Sequence, residues 1–90
     1  MTNQLELLRQ EIDSIDAQIF DLLEQRLTVA KQIGAYKKEH KLSVLDSSRE
    51  NHKRDQVKVS VSNELEPYAL ELLEVLMKAA KAVQETSDEL

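Results

Sequence analysis

Ninety residues make one small domain, spanning 1–90, and the composition (41% apolar, 32% charged, one Gly, one Pro, one Phe) favours helices over strands. With no cysteine there is no disulfide framework, thiol nucleophile or thiolate metal site, and a net charge of −5 argues against nucleic acid as a main partner. No apolar run is long enough for a membrane span and the N-terminus carries no apolar signal region, so a soluble, cytoplasmic protein with no membrane partner is expected.

The first predicted helix runs from Leu5 to about Glu39, after a frayed start in which Thr2 or Asn3 is available as the N-cap. Apolar residues recur along it in steps of three and four, from Leu5, Leu8, Ile12 and Ile15 through Ile19 and Leu22 to Val29, Ile33 and Tyr36. The seam skips one position, and that position holds Arg26. Acid is concentrated in the first half of the helix (Glu6, Glu11, Asp13, Asp16) and base at its end (Lys31, Lys37, Lys38), an order that suits the helix dipole. Gly34 inside the pattern costs about 1 kcal/mol relative to Ala, and reads as close packing, a bend, or the approach of a ligand or neighbouring helix. Such a helix is roughly 55 Å long, whereas a compact domain of this size has a radius of gyration of about 12 Å. The remaining residues cannot wrap it, so the seam calls for a second chain, most simply a two-fold homodimer.

Residues 40–45 break the periodicity and read as a loop. Asp46 or Ser47 can cap a second helix, predicted from Ser48 to about Ser60, and Ser47-Ser48-Arg49-Glu50 fits a capping box. Its apolar face is thin, mainly Val57 and Val61 with the stems of Lys53 and Arg54. Residues 58–61 alternate like a strand, but no other segment offers a pairing partner. After a short connection, Pro67 suits the first turn of a third helix that frays by Ser87. Its seam is Leu65, Ala69, Leu72, Leu76, Ala79 and Val83, flanked by a row of Leu73, Met77, Ala80 and Gln84.

The polar residues in apolar places carry the functional signal. A seam arginine can simply snorkel or set the register of a bundle. However, Arg26, Ile33 and Lys37 lie on nearly one face, because eleven residues at 100° return to within about 20°. Two long cationic side chains about 16 Å apart at their Cα atoms can grip a small anion between them, near Ala30. Arg9 lies about 25 Å from Arg26 along the helix and cannot share a small ligand with it in one chain. In an antiparallel pair centred near Phe20, the helix midpoint, Arg9 of one chain arrives opposite Arg26 and Lys37 of the other. Asp46, Arg49 and Glu50 serve either as a cap and solvated face or as part of the same site. Gln84 is either a surface residue or an inward neutral donor. His40 and His52 have no metal-ligand spacing and read as solvent-facing.

Arginine supplies bidentate donors to carboxylates, and Lys and Gln suit single acceptor oxygens. With no nucleophile–base pair and no Gly-rich phosphate loop, the set has the character of an electrostatic cage for a small dianion. Leu8-Arg9 with Ile12, Ile15-Asp16 and Leu22-Leu23-Glu24-Gln25-Arg26 resembles the opening of the all-helical chorismate mutases. Gly34-Ala35-Tyr36-Lys37, Asp46-Ser47-Ser48-Arg49-Glu50 and Gln84 continue the resemblance in order, over about Leu5 to Glu85.

The resemblance implies an all-α, three-helix protomer in an intertwined homodimer, with two sites that each take Arg9 from the neighbouring chain. It implies the Claisen rearrangement of chorismate to prephenate, on the way to phenylalanine and tyrosine, with no cofactor and no metal. Arg9, Arg26 and Arg49 would hold the two carboxylates, Lys37 and Gln84 would donate to the ether oxygen, and Asp46 and Glu50 would sit near the ring hydroxyl. Ala80 departs from relatives that carry a hydroxyl residue there, so one carboxylate contact is absent or replaced. These 90 residues include no regulatory domain, so any feedback control is expected from a shikimate-pathway partner enzyme. The rival readings are an isochorismate-pyruvate lyase of the same fold and a non-catalytic helical dimerisation module.

Overall fold

The computed structural model describes residues 3–86 as three helices, α1 (Gln4–Glu39), α2 (Ser47–Ser60) and α3 (Glu66–Glu85), with no strand among the described residues. The suggested cap at Thr2 and the fraying at Ser87 lie outside them. Asn3 caps α1, its side-chain oxygen accepting the Glu6 N–H at 2.7 Å. Asp46 caps α2 in the same way, accepting the Arg49 N–H at 3.0 Å. The helix therefore starts at Ser47, one residue before the predicted start, and the expected Ser47–Glu50 capping box does not form. An acceptor one residue earlier already satisfies the orphan donor, which leaves the Glu50 carboxylate to the cleft described below.

The end of α1 is set by the backbone. Leu42 N–H donates to the Lys37 carbonyl at 2.7 Å and Lys41 N–H to the Lys38 carbonyl at 3.2 Å. Lys41 has φ 57°. This is a Schellman motif with lysine in the left-handed position that usually goes to glycine. His40 is exposed as expected, but its ring stacks on Tyr36 with centroids 4.0 Å apart. Between α2 and α3, the Leu65 and Glu66 N–H groups both donate to the Ser62 carbonyl at 3.0 Å, and Pro67 falls in the first turn of α3.

α3 packs on both other helices, whereas α1 and α2 have no backbone contact with each other. On α1, the covered stripe is Leu23, Leu27, Ala30, Gly34 and Lys37, one position round from the heptad seam. Ala30 and Gly34 are the buried members, and their small size lets α3 lie close. The cost of Gly34 to helix propensity is thus offset by packing. On α3 the ranking of the two rows is the reverse of that expected. The flanking row supplies the buried residues, Leu73 and Met77, while Leu65 and Leu72 of the seam stay more than half exposed. The reason is that the flanking row is the one aligned with the Ala30–Gly34 groove.

Among the described residues the buried apolar core is only Ala30, Leu73 and Met77. A fully buried Leu or Met contributes about 1.5–3 kcal/mol, against an ordering cost of over 1 kcal/mol per residue. The seam from Leu5 to Tyr36 remains 44–61% exposed in the single chain, and no residue of α1 before Leu23 is covered. The radius of gyration is 17.0 Å and the longest extent 60 Å. The chain exposes 7357 Å², about 2,000 Å² more than a compact monomer of 10.3 kDa.

Candidate active site

The three helices leave a cleft of about 600 Å³ where the second half of α1, the start of α2 and the end of α3 converge. The α1 wall carries Arg26, Ala30, Ile33 and Lys37, the side chains whose shared face follows from helical geometry. Asp46, Arg49, Glu50 and Lys53 come from the α2 side, and Met77, Ala80, Lys81 and Gln84 from α3. Seven of the eight residues singled out in the sequence therefore line one cavity. The eighth, Arg9, is exposed on the distant half of α1.

The two cations of the α1 wall are each held by specific contacts. Arg26 is half-buried, and its Nη1 donates to the Leu76 carbonyl at 3.1 Å, which ties α1 to the middle of α3. Lys37 is also half-buried, and its Nζ donates to the Val44 carbonyl at 2.8 Å and to Gln84 Oε1 at 3.0 Å. An ammonium has three donors and no acceptor. Two are used here, and the third is available to a ligand. The same fact fixes the Gln84 amide, because only its oxygen can face Lys37, so its NH₂ is turned elsewhere. The Val44 carbonyl is a site feature that sequence reasoning missed. A backbone acceptor leaves no residue-type signal, and the Schellman turn that aims this loop uses lysine instead of the tell-tale glycine.

Lys53 and Lys81 were also missed. Neither interrupts an apolar seam: Lys53 stands out only for its stem, on the thin apolar face of α2, and Lys81 does not stand out at all. Lys81 Nζ lies 2.9 Å from Glu50 Oε2, and Arg54 approaches Glu50 Oε1 at 3.6 Å. Outside the cleft, Arg54 forms a two-pronged pair with Glu74 at 2.7 and 3.2 Å. That hydrogen bond holds the Glu74 carboxyl below the usual carboxylate range and raises the Arg54 guanidinium. Five cations (Arg26, Lys37, Arg49, Lys53, Lys81) against two carboxylates (Asp46, Glu50) give the cleft a net charge of +3. The whole chain carries −5. The cleft thus concentrates positive charge on an acidic protein, and its donors suit a small anion with several acceptor oxygens. Among the described residues no group of three His, Asp or Glu side chains is placed to hold a metal ion, and no helix is long and apolar enough to cross a membrane.

A three-helix chain with a cationic cleft between its helix ends defines an all-helical class whose cleft has the chemistry to suit a small anion. Residues 8–85 match the family described as chorismate mutase type II, and the chain belongs to that family. A conserved hypothetical protein from Pyrococcus furiosus has a similar solved structure, with a TM-score of 0.77 and 37% sequence identity. The similarity covers 93% of this chain and 99% of that one. No curated protein matches the chain.

Proposed function

We propose that the chain is a chorismate mutase, converting chorismate to prephenate in a site completed by a second copy of itself. The observation that carries this reading is the Lys37–Gln84 pair, anchored on the Val44 carbonyl and facing a cleft of net positive charge. The rearrangement is intramolecular: one C–O bond breaks as one C–C bond forms, with no proton transfer. The protein's task is to hold the reactive conformer and to stabilise charge that develops on the ether oxygen. Arg26 and Arg49, both in the cleft wall, would hold the carboxylates. Lys37, through its remaining donor, and Gln84 would meet the ether oxygen, where stabilising charge that appears only in the transition state lowers the barrier.

The exposed seam of α1 supports a homodimer. Antiparallel pairing about Phe20 would cover it and bring Arg9 of the partner subunit to the cleft as a third arginine for the carboxylates. The steady loss of chorismate absorbance on adding the pure protein, with prephenate as product, is the expected result. Salicylate and pyruvate from isochorismate, with chorismate untouched, would assign the site to the lyase reaction. No turnover of either substrate would leave a dimerisation module.

A further inference from the structure

Lys81 has no role in the mechanism above, yet it stands in the α3 wall of the cleft. Met77, Lys81 and Gln84 follow one another along one stripe of the helix, four and then three residues apart. Lys81 Nζ lies 2.9 Å from Glu50 Oε2, and Glu50 is the more covered partner, its side chain 16% exposed against 37%. Arg54 faces the same carboxylate only at 3.6 Å, and its guanidinium is committed to Glu74. Lys81 is therefore the principal counter-charge of Glu50. The other charged groups around the cleft are Arg26 and Lys37 on α1 and Asp46, Arg49 and Lys53 on the α2 side.

A carboxylate in the wall of a cleft that collects a dianion has two opposed effects. Ionised, it repels the ligand's own carboxylates. It is also an acceptor with no donor of its own, which suits a ligand hydroxyl. We infer that Lys81 is a positioning residue that neutralises and aims Glu50, so that Glu50 accepts a hydrogen bond from the substrate's ring hydroxyl without repelling its carboxylates. The inference rests on the mutase reading for the identity of the hydroxyl. It assigns Lys81 a part in substrate affinity and none in stabilising the ether oxygen, which lies with Lys37 and Gln84.

Lys81→Met keeps the aliphatic stem and removes the charge. With wild-type turnover of chorismate as the control, KM is expected to rise roughly tenfold with kcat held within about twofold, and Lys81→Arg to restore KM. In a Glu50→Gln background the same Lys81→Met change is expected to alter KM by less than about twofold, because the charge it screened is gone. A tenfold penalty that persists in that background overturns the inference, since Lys81 would then touch the substrate itself. An unchanged KM in Lys81→Met overturns it too. If the wild type leaves chorismate untouched, the mutase reading fails separately. The coupling is then read from the Kd of malonate by calorimetry across wild type, both single variants and the double. A loss of affinity in Lys81→Met that vanishes with Glu50→Gln upholds the screening of Glu50, and equal losses in both backgrounds refute it.

Discussion

The proposed shared site makes a prediction that no single-chain site could satisfy. Arg26 lies in the cleft, and Arg9 is 17 residues earlier on the same straight helix, about 25 Å away. On that proposal, Arg9→Ala and Arg26→Ala would each remove a bidentate, charge-assisted contact to a carboxylate. At about 1.5–3 kcal/mol per charged hydrogen bond, and two bonds per bidentate contact, each change should cost roughly 10²- to 10⁴-fold in kcat/KM. Folding should survive both. Arg9 is exposed, and the Leu76 carbonyl that Arg26 contacts lies inside α3, where the helix supplies its own donor. When the two inactive variants are mixed and allowed to exchange subunits, half the dimers are hybrids. In each hybrid one site carries both changes and the other carries neither. Random mixing should therefore restore about a quarter of wild-type activity. The assay is chorismate consumption before and after exchange, with hybrid formation followed by differential tagging. Confirmed hybrids with no recovered activity would refute the shared site. A fully active Arg9→Ala homodimer would remove Arg9 from the site altogether.

Lys37→Ala should lower kcat by about 10²-fold or more, as losing a transition-state donor does, and a rise in KM alone would reassign Lys37 to ground-state binding. Gln84→Glu should convert a flat pH profile into one that climbs as pH falls. Only the protonated acid can donate to the ether oxygen, and the adjacent Lys37 keeps the new carboxyl ionised to below about pH 4.3. A profile unchanged in shape would place Gln84 away from the reacting oxygen. The depressed Glu74 carboxyl contributes stability above the unfolded carboxylate's pKa, and that stability is lost as pH falls through the lower folded value. The Tm deficit of Glu74→Gln at neutral pH should accordingly close well below about pH 4, and a deficit that persists in acid would mean the loss is one of packing. Lys41→Gly should raise Tm by a few degrees at fixed protein concentration, because a non-glycine residue pays about 1–2 kcal/mol for the left-handed conformation. No gain would show that the lysine side chain compensates.

The local structure was legible because its causes are local. The three-four spacing, Asn3, Asp46 and Pro67 set the helices and their starts to within about a residue, through periodicity, capping chemistry and the missing proline N–H. The common face of Arg26 and Lys37 was fixed in the same way, since helical rise and turn leave no freedom once both residues are on one helix. The sequence could also show that α1 is too long for its own chain to cover.

Tertiary packing decided the rest. α1 carries two adjacent stripes, a bulky heptad seam and a small-residue groove at Ala30 and Gly34, and periodicity alone does not say which one α3 takes. α3 takes the groove, because close approach buries more contact per residue, and this leaves the larger seam outside. That choice also decides which row of α3 turns inward, and with it the depth of Met77 and the reach of Gln84 to Lys37. The Val44 carbonyl and the Lys81–Glu50 pair belong to the same category. One is a backbone group, and the other joins two unremarkable surface residue types 31 positions apart. The first forms only when the loop after α1 folds back on Lys37, and the second only when α2 is brought to α3.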